Sequence, residues 1–139
     1  MEYGIHINGH QFRIDIEALL KTEETRARRT LNRYTDNRVG LIETGHGKAI
    51  LWGFCKLELP TEYTTVKQFR DAYDVHRVEA DSTYDIKVGG KKYGYPITDL
   101  VLLETPVELP SWTYTGNRTA RVLPEEFTES HLKTYKPTK

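Results

Sequence analysis

The distribution of apolar residues is the strongest constraint on the fold. They fall in short runs of β-branched and aliphatic residues cut by glycine and proline. Segments 3–7 (YGIHI), 38–44 (RVGLIET), 48–59 (KAILWGFCKLEL) and 97–104 (ITDLVLLE) read as strands. Within 48–59, alternation after Ile50 places Leu51 and Gly53 on one face and Trp52, Phe54 and Leu57 near the other. Gly45 and Gly47 supply a hairpin between the second and third runs, while Pro96 and Pro106 bound the last. Helical spacing occurs twice. Phe12, Ile16, Leu19 and Leu20 make a stripe over 10–20; Val66, Phe69 and Tyr73 share a face over 64–74, with Thr65 as its cap. A third, short helix is expected after Pro124. The elements do not alternate as βαβ units, so the pattern predicts an α+β fold built on a small barrel.

A chain of 139 residues and 16.1 kDa fits one domain, 1–139, and buries enough surface to fold without a staple. The single cysteine, Cys55, excludes a disulfide framework and multi-cysteine zinc sites, and reads as a small buried apolar residue. His6, His10, His46, His76 and His131 show no metal-ligand spacing, so neither a metal nor a cofactor is expected. Ser82, Ser111 and Ser130 lack a nucleophile-elbow motif. Trp52 and Trp112 are read as core and rim packing. No apolar run approaches the roughly 20 residues that cross a bilayer, and MEYGIHING does not resemble a secretion signal. A cytoplasmic location is therefore the expectation.

Twenty basic residues balance twenty acidic ones, which excludes a uniformly basic nucleic-acid protein. Any basic footprint must be local. Between Arg26 and Arg38 lie five arginines (Arg26, Arg28, Arg29, Arg33, Arg38) against one acid, Asp36. Lys87, Lys91 and Lys92 flank Gly89-Gly90 and precede Tyr93, Gly94 and Tyr95. Arginines beside aromatic, glycine-containing loops suit phosphate contact with base stacking; the plainer reading is a solvated strand face and a polar loop.

The stretch Lys21-Thr22-Glu23-Glu24-Thr25-Arg26 resembles the signature of the ASCH domain, a PUA-like family whose motif is Gly-x-Lys-x-x-Glu-x-Arg. Lys21, Glu24 and Arg26 match in register, and Leu19 stands in place of the glycine. RVGLIET, ILWGF, KYGYPITDL and ETPVELP follow in the order of the family's later landmarks. The resemblance spans 4–110 and leaves 125–139 as a C-terminal extension. It implies a small PUA-like β-barrel with flanking short helices, and a cleft that recognises RNA or a modified nucleoside through Lys21, Glu24, Arg26, Arg28, Arg29, Tyr93 and Tyr95. Some small bacterial members are amidohydrolases acting on 4-acetylcytidine, and one has been described as a ribonuclease. The hydrolases' lysine corresponds to Lys21, but their threonine falls on Glu24, and neither Thr22 nor Thr25 is in register. Their distant glutamate aligns loosely with Glu79. The alternative is thus a hydrolase with Lys21, Glu24 and Glu79 as its catalytic set; a protein-interaction module is a third reading.

On a strand, Glu24 and Arg26 point to one face, whereas Lys21 has opposite parity and must sit at the turn entering it. Glu24 then accepts from a base's exocyclic amine or holds its cationic neighbours, and Arg26 offers a rigid fork to an anion. A desolvated Lys21 has the chemistry of a general base. The plain alternative is an exposed Glu24–Arg26 ion pair of little energetic value. Glu24→Gln is expected to weaken recognition and leave stability nearly intact.

Overall fold

A computed structural model describes residues 1–45, 47–110 and 119–138. The fold is α+β: a curled mixed sheet forms a half-barrel with a few short helices beside it. Strand β1 (Tyr3–Asn8) leads into α1 (His10–Glu17), then β2 (Glu23–Arg26), β3 (Arg38–Thr44), β4 (Ile50–Leu57) and β5 (Thr61–Tyr63). Helices α2 (Val66–Asp71) and α3 (Tyr73–His76) follow, and then β6 (Lys92–Glu108), β7 (Ala120–Val122) and β8 (Thr134–Tyr135). The sheet order is β2-β6-β4-β3-β1-β7, with β5 and β8 also paired to β6. β1 and β3 run parallel; the other pairs are antiparallel.

β6 organises the sheet. Its first residues pair with β2 and β5, and from Ile97 onward it pairs with β4. The sequence pattern bounds this strand at Pro96 and Pro106, yet it runs through both. Pro96 lies where the chain leaves β2 for β4, and Pro106 lies in the stretch between Leu102 and Val107 that has no partner on β4. Prolines are tolerated in strands at such irregularities, where no ladder N–H is required. At Gly53 the two strands approach closely: a Cβ there would lie 2.7 Å from the Val101 carbonyl oxygen.

Register shifts on both sides of Gly53 change the side-chain parity of β4. Trp52, Cys55 and Leu57 join Ile5, Ile7, Val39, Leu41 and Tyr95 in the main core. Leu51 and Phe54 pack instead with Ile42, Leu103 and Leu123 in a second core. Simple alternation therefore misplaced Phe54. Cys55 is buried, and burial pushes its thiol up to about 12. Trp52 is a core residue as expected; Trp112 and Ser111 lie outside the described residues.

Both helices are shorter than their periodicity suggests. α1 stops at Glu17, because Leu19 adopts φ 62° in the left-handed region and leaves Leu20 exposed. Thr65 caps α2 by accepting from the Gln68 N–H, while Gln68 Oε1 accepts from the Thr64 N–H. The chain breaks after Asp71 into α3, and Tyr73 turns its hydroxyl to Glu79 rather than joining Phe69 in the small third core. The short helix expected after Pro124 takes the form of two 3₁₀ turns, Glu125–Phe127 and Glu129–His131. The C-terminal residues do not form a tail: β8 pairs with β6, and Phe127 and Leu132 cover the second core. Among the described residues, no helix is long and apolar enough to cross a membrane.

The left-handed φ of Leu19 carries a testable cost. A β-carbon in that region costs about 1–2 kcal/mol, and glycine removes it. Leu19→Gly should raise the urea midpoint, with a gain of up to about 1 kcal/mol after the greater chain entropy of glycine. A lower midpoint would show that the half-buried Leu19 side chain matters more than its backbone.

Candidate functional site

The motif strand β2 lies beside β6 with Glu23 opposite Pro96, Glu24 opposite Tyr95 and Arg26 opposite Tyr93. Its close approach depends on Gly94, because a Cβ there would occupy the position of the Glu23 carboxylate, 1.9 Å from Oε1. Glu23 accepts from the Tyr63 hydroxyl at 2.6 Å inside the protein, and burial raises its carboxyl above the ordinary range. Glu24 and Arg26 project to the opposite side.

Lys21 precedes the strand at the turn, as its parity requires, and is 1% exposed. Its ammonium donates to the His76 carbonyl at 2.6 Å, lies 3.5 Å from Glu24 Oε1 and sits 4.4 Å from the Phe12 ring centroid. Glu24 is 4% exposed, and its Oε2 accepts from Arg26 Nη1. The second Nη1 proton of Arg26 goes to the Thr25 carbonyl, and Nη2 donates to the His6 carbonyl at 2.7 Å. The three motif side chains therefore form one continuous array.

Burial opposes both charges in this array. It lowers Lys21 below the ordinary lysine value, partly offset by Glu24. Burial alone would raise Glu24, but Arg26 and Lys21 reverse that and hold its carboxyl below the usual range. The arrangement is thus a buried, shared carboxylate, not the exposed pair of the plain reading.

Above the array lies a cavity of about 530 Å³, large enough for a small organic ligand. Glu24, Thr25 and Arg26 form one wall, with Phe12 and Tyr84 meeting edge-on at 5.4 Å. β1 contributes His6 and Asn8, which alternate with the core residues Ile5 and Ile7. Asn8 Nδ2 donates to the Tyr84 hydroxyl at 3.0 Å. His6 Nε2 accepts from Arg121 Nε at 2.9 Å, which leaves the ring proton on Nδ1. Lys92, at the start of β6, completes the polar lining.

The other residues expected at the site are placed differently. Tyr95 is fully buried in the main core, because its position on β6 faces inward; its hydroxyl donates to Asn32 Oδ1. Tyr93 is 9% exposed and covered by Arg29, whose guanidinium lies 5.2 Å from its ring and pairs with Glu62 at 3.9 Å. Neither ring lines the cavity. Arg28 is exposed and also outside the lining. Glu79 is exposed and accepts from the Tyr73 hydroxyl, so the fold does not bring it to Lys21 and Glu24. Conversely, composition and motif did not single out Phe12, Tyr84, His6, Asn8 or Arg121. The polar His6 and Asn8 on an otherwise apolar strand were the available signal. Among the described residues, no group of three potential ligands is placed to hold a metal.

Below the array, His76 is wholly buried and stacked on Phe69 at 4.0 Å. Its Nε2–H donates to the Phe69 carbonyl and its Nδ1 accepts from the Val78 N–H, so both nitrogens are used in the neutral form. Burial lowers its pKa below 6.5.

Two outcomes follow. Glu24→Gln removes the charge shared by Lys21 and Arg26, and should cost about 3 kcal/mol or more in urea denaturation. This replaces the expectation that stability would be spared. For His76, the neutral form is favoured in the fold, so its stability contribution is full above pH 6.5 and falls as pH drops below it. Nitrogen-15 NMR should find His76 still as the neutral Nε2–H tautomer at pH 6; a ring half-protonated at pH 6.5 or above would refute the assignment.

No family model, curated protein or solved structure matches the chain.

Proposed function

We propose that the cavity recognises RNA or a modified nucleoside, and that the chain is an ASCH-like, PUA-like barrel. The observation that carries this reading is the placement of Glu24 and Arg26 on one cavity with an aromatic wall, with Lys21 bonded to Glu24. Lys21 and Arg26 hold Glu24 ionised, and each takes one of its oxygens. The remaining lone pairs accept from a base's exocyclic amine, and Phe12 with Tyr84 supplies an apolar surface for the ring. Leu19 adds support from the backbone. It stands where the resembling motif has glycine, and its left-handed φ of 62° is the conformation glycine favours.

The hydrolase reading has less support. The Lys21 ammonium is committed to His76 and Glu24 beside the Phe12 ring and is absent from the cavity lining, so it is poorly placed to take a proton from a ligand. The exposed Glu79 offers no second carboxylate there. Incubation with 4-acetylcytidine should release little or no cytidine; rapid release would restore the enzyme reading.

Binding is tested with labelled single-stranded RNA and with cytidine. RNA should bind at low ionic strength and weaken steeply as salt rises. Tyr84→Ala should weaken binding about tenfold, within the range for losing one base–aromatic contact, while thermal melting changes little. No binding at low salt would favour an interaction module instead.

A further inference from the structure

We propose that the cavity is built for a phosphorylated ligand, a nucleotide rather than a neutral nucleoside, with Lys92 and Arg26 holding the phosphate. This rests on the nucleoside-recognition reading and specifies its ligand. The first support is a cation with no bonded partner among the described residues. Lys92 lines the cavity and is partly buried, yet its ammonium has no hydrogen-bond or ion-pair partner among the described residues. The carboxylates acting on it are already engaged: Asp85 by Arg70 at 2.7 Å, and Glu24 by Lys21 and Arg26. Lys21, Glu24 and Arg26 together carry one positive charge, and Lys92 adds a second.

The second support is donor capacity. A guanidinium has five N–H donors. Arg26 spends three, on Glu24, Thr25 and His6, leaving Nε–H and one Nη2–H. Arg26 and Lys92 both line the cavity, so the remaining Arg26 donors and the Lys92 ammonium, which has no partner among the described residues, border the same space. A neutral nucleoside leaves Lys92 without a bonded counter-charge and the remaining Arg26 donors without an acceptor. A phosphate monoester, bearing about −1.5 to −2 at neutral pH with acceptor oxygens on all sides, supplies both.

Calorimetric titration with cytidine, cytidine 5′-monophosphate, cytidine 3′-monophosphate and inorganic phosphate tests the assignment. At least one monophosphate should bind fivefold or more tighter than cytidine, and inorganic phosphate should compete with it. The two monophosphates identify which ribose end carries the phosphate. In Lys92→Gln the advantage should shrink to threefold or less, and Lys92→Arg should restore it. Lys92 is partly exposed at a strand end, so both variants are expected to melt near the parent. Cytidine binding as tightly as both monophosphates overturns the phosphate assignment and leaves nucleoside recognition standing. An advantage that survives in Lys92→Gln overturns the role of Lys92. Failure of all the probes to bind overturns this inference and the reading beneath it together.

Discussion

The Glu24 carboxylate is the point on which the rest of the site depends. It lies almost out of solvent, where an isolated charge is costly, and it is ionised because Lys21 and Arg26 each hold one of its oxygens. The dependence is mutual. Lys21 is itself buried, and its other hydrogen bond, to the His76 carbonyl, ties β2 to α3. Arg26 reaches the His6 carbonyl and ties β2 to β1. One carboxylate therefore fixes three separate elements around a single cavity.

The sheet supplies the frame for this arrangement. β6 changes partners along its length, pairing first with β2 and β5 and then with β4, so it joins the motif strand to the main sheet. β1 runs parallel to β3 at the other side and presents His6 and Asn8 to the cavity while Ile5 and Ile7 enter the core. The buried His76, neutral and with both nitrogens satisfied, makes a rigid floor beneath Lys21. Such a site is preorganised: its polar groups are held by one another before any ligand arrives.

Phe54 and Tyr95 illustrate how alternation and composition misjudge position. Period-2 reasoning fails at Phe54 because the register shifts around Gly53 reverse its face, and a bulge depends on how the partner strand approaches. A tyrosine in a glycine- and lysine-containing stretch reads as an exposed stacking residue, yet Tyr95 lies in the core because its position on β6 faces inward. Glu79 shows the same limit at longer range. No pattern in the chain reveals that its loop turns toward Tyr73 and away from the motif.

Local chemistry alone determined the α+β composition, the strand identity of the four apolar runs, the Thr65 cap and the entry of Lys21 at a turn. Each of these depends on side-chain period or on hydrogen bonds to near neighbours in sequence. Tertiary structure decided the electrostatic state and the company of Lys21, Glu24 and Arg26. The burial of Lys21 and Glu24, the aromatic wall of Phe12 and Tyr84, and the place of Lys92 in the cavity lining arise from contacts between residues far apart in the chain. Desolvation depends on the full set of atoms surrounding a group, and strand parity alone does not specify that set.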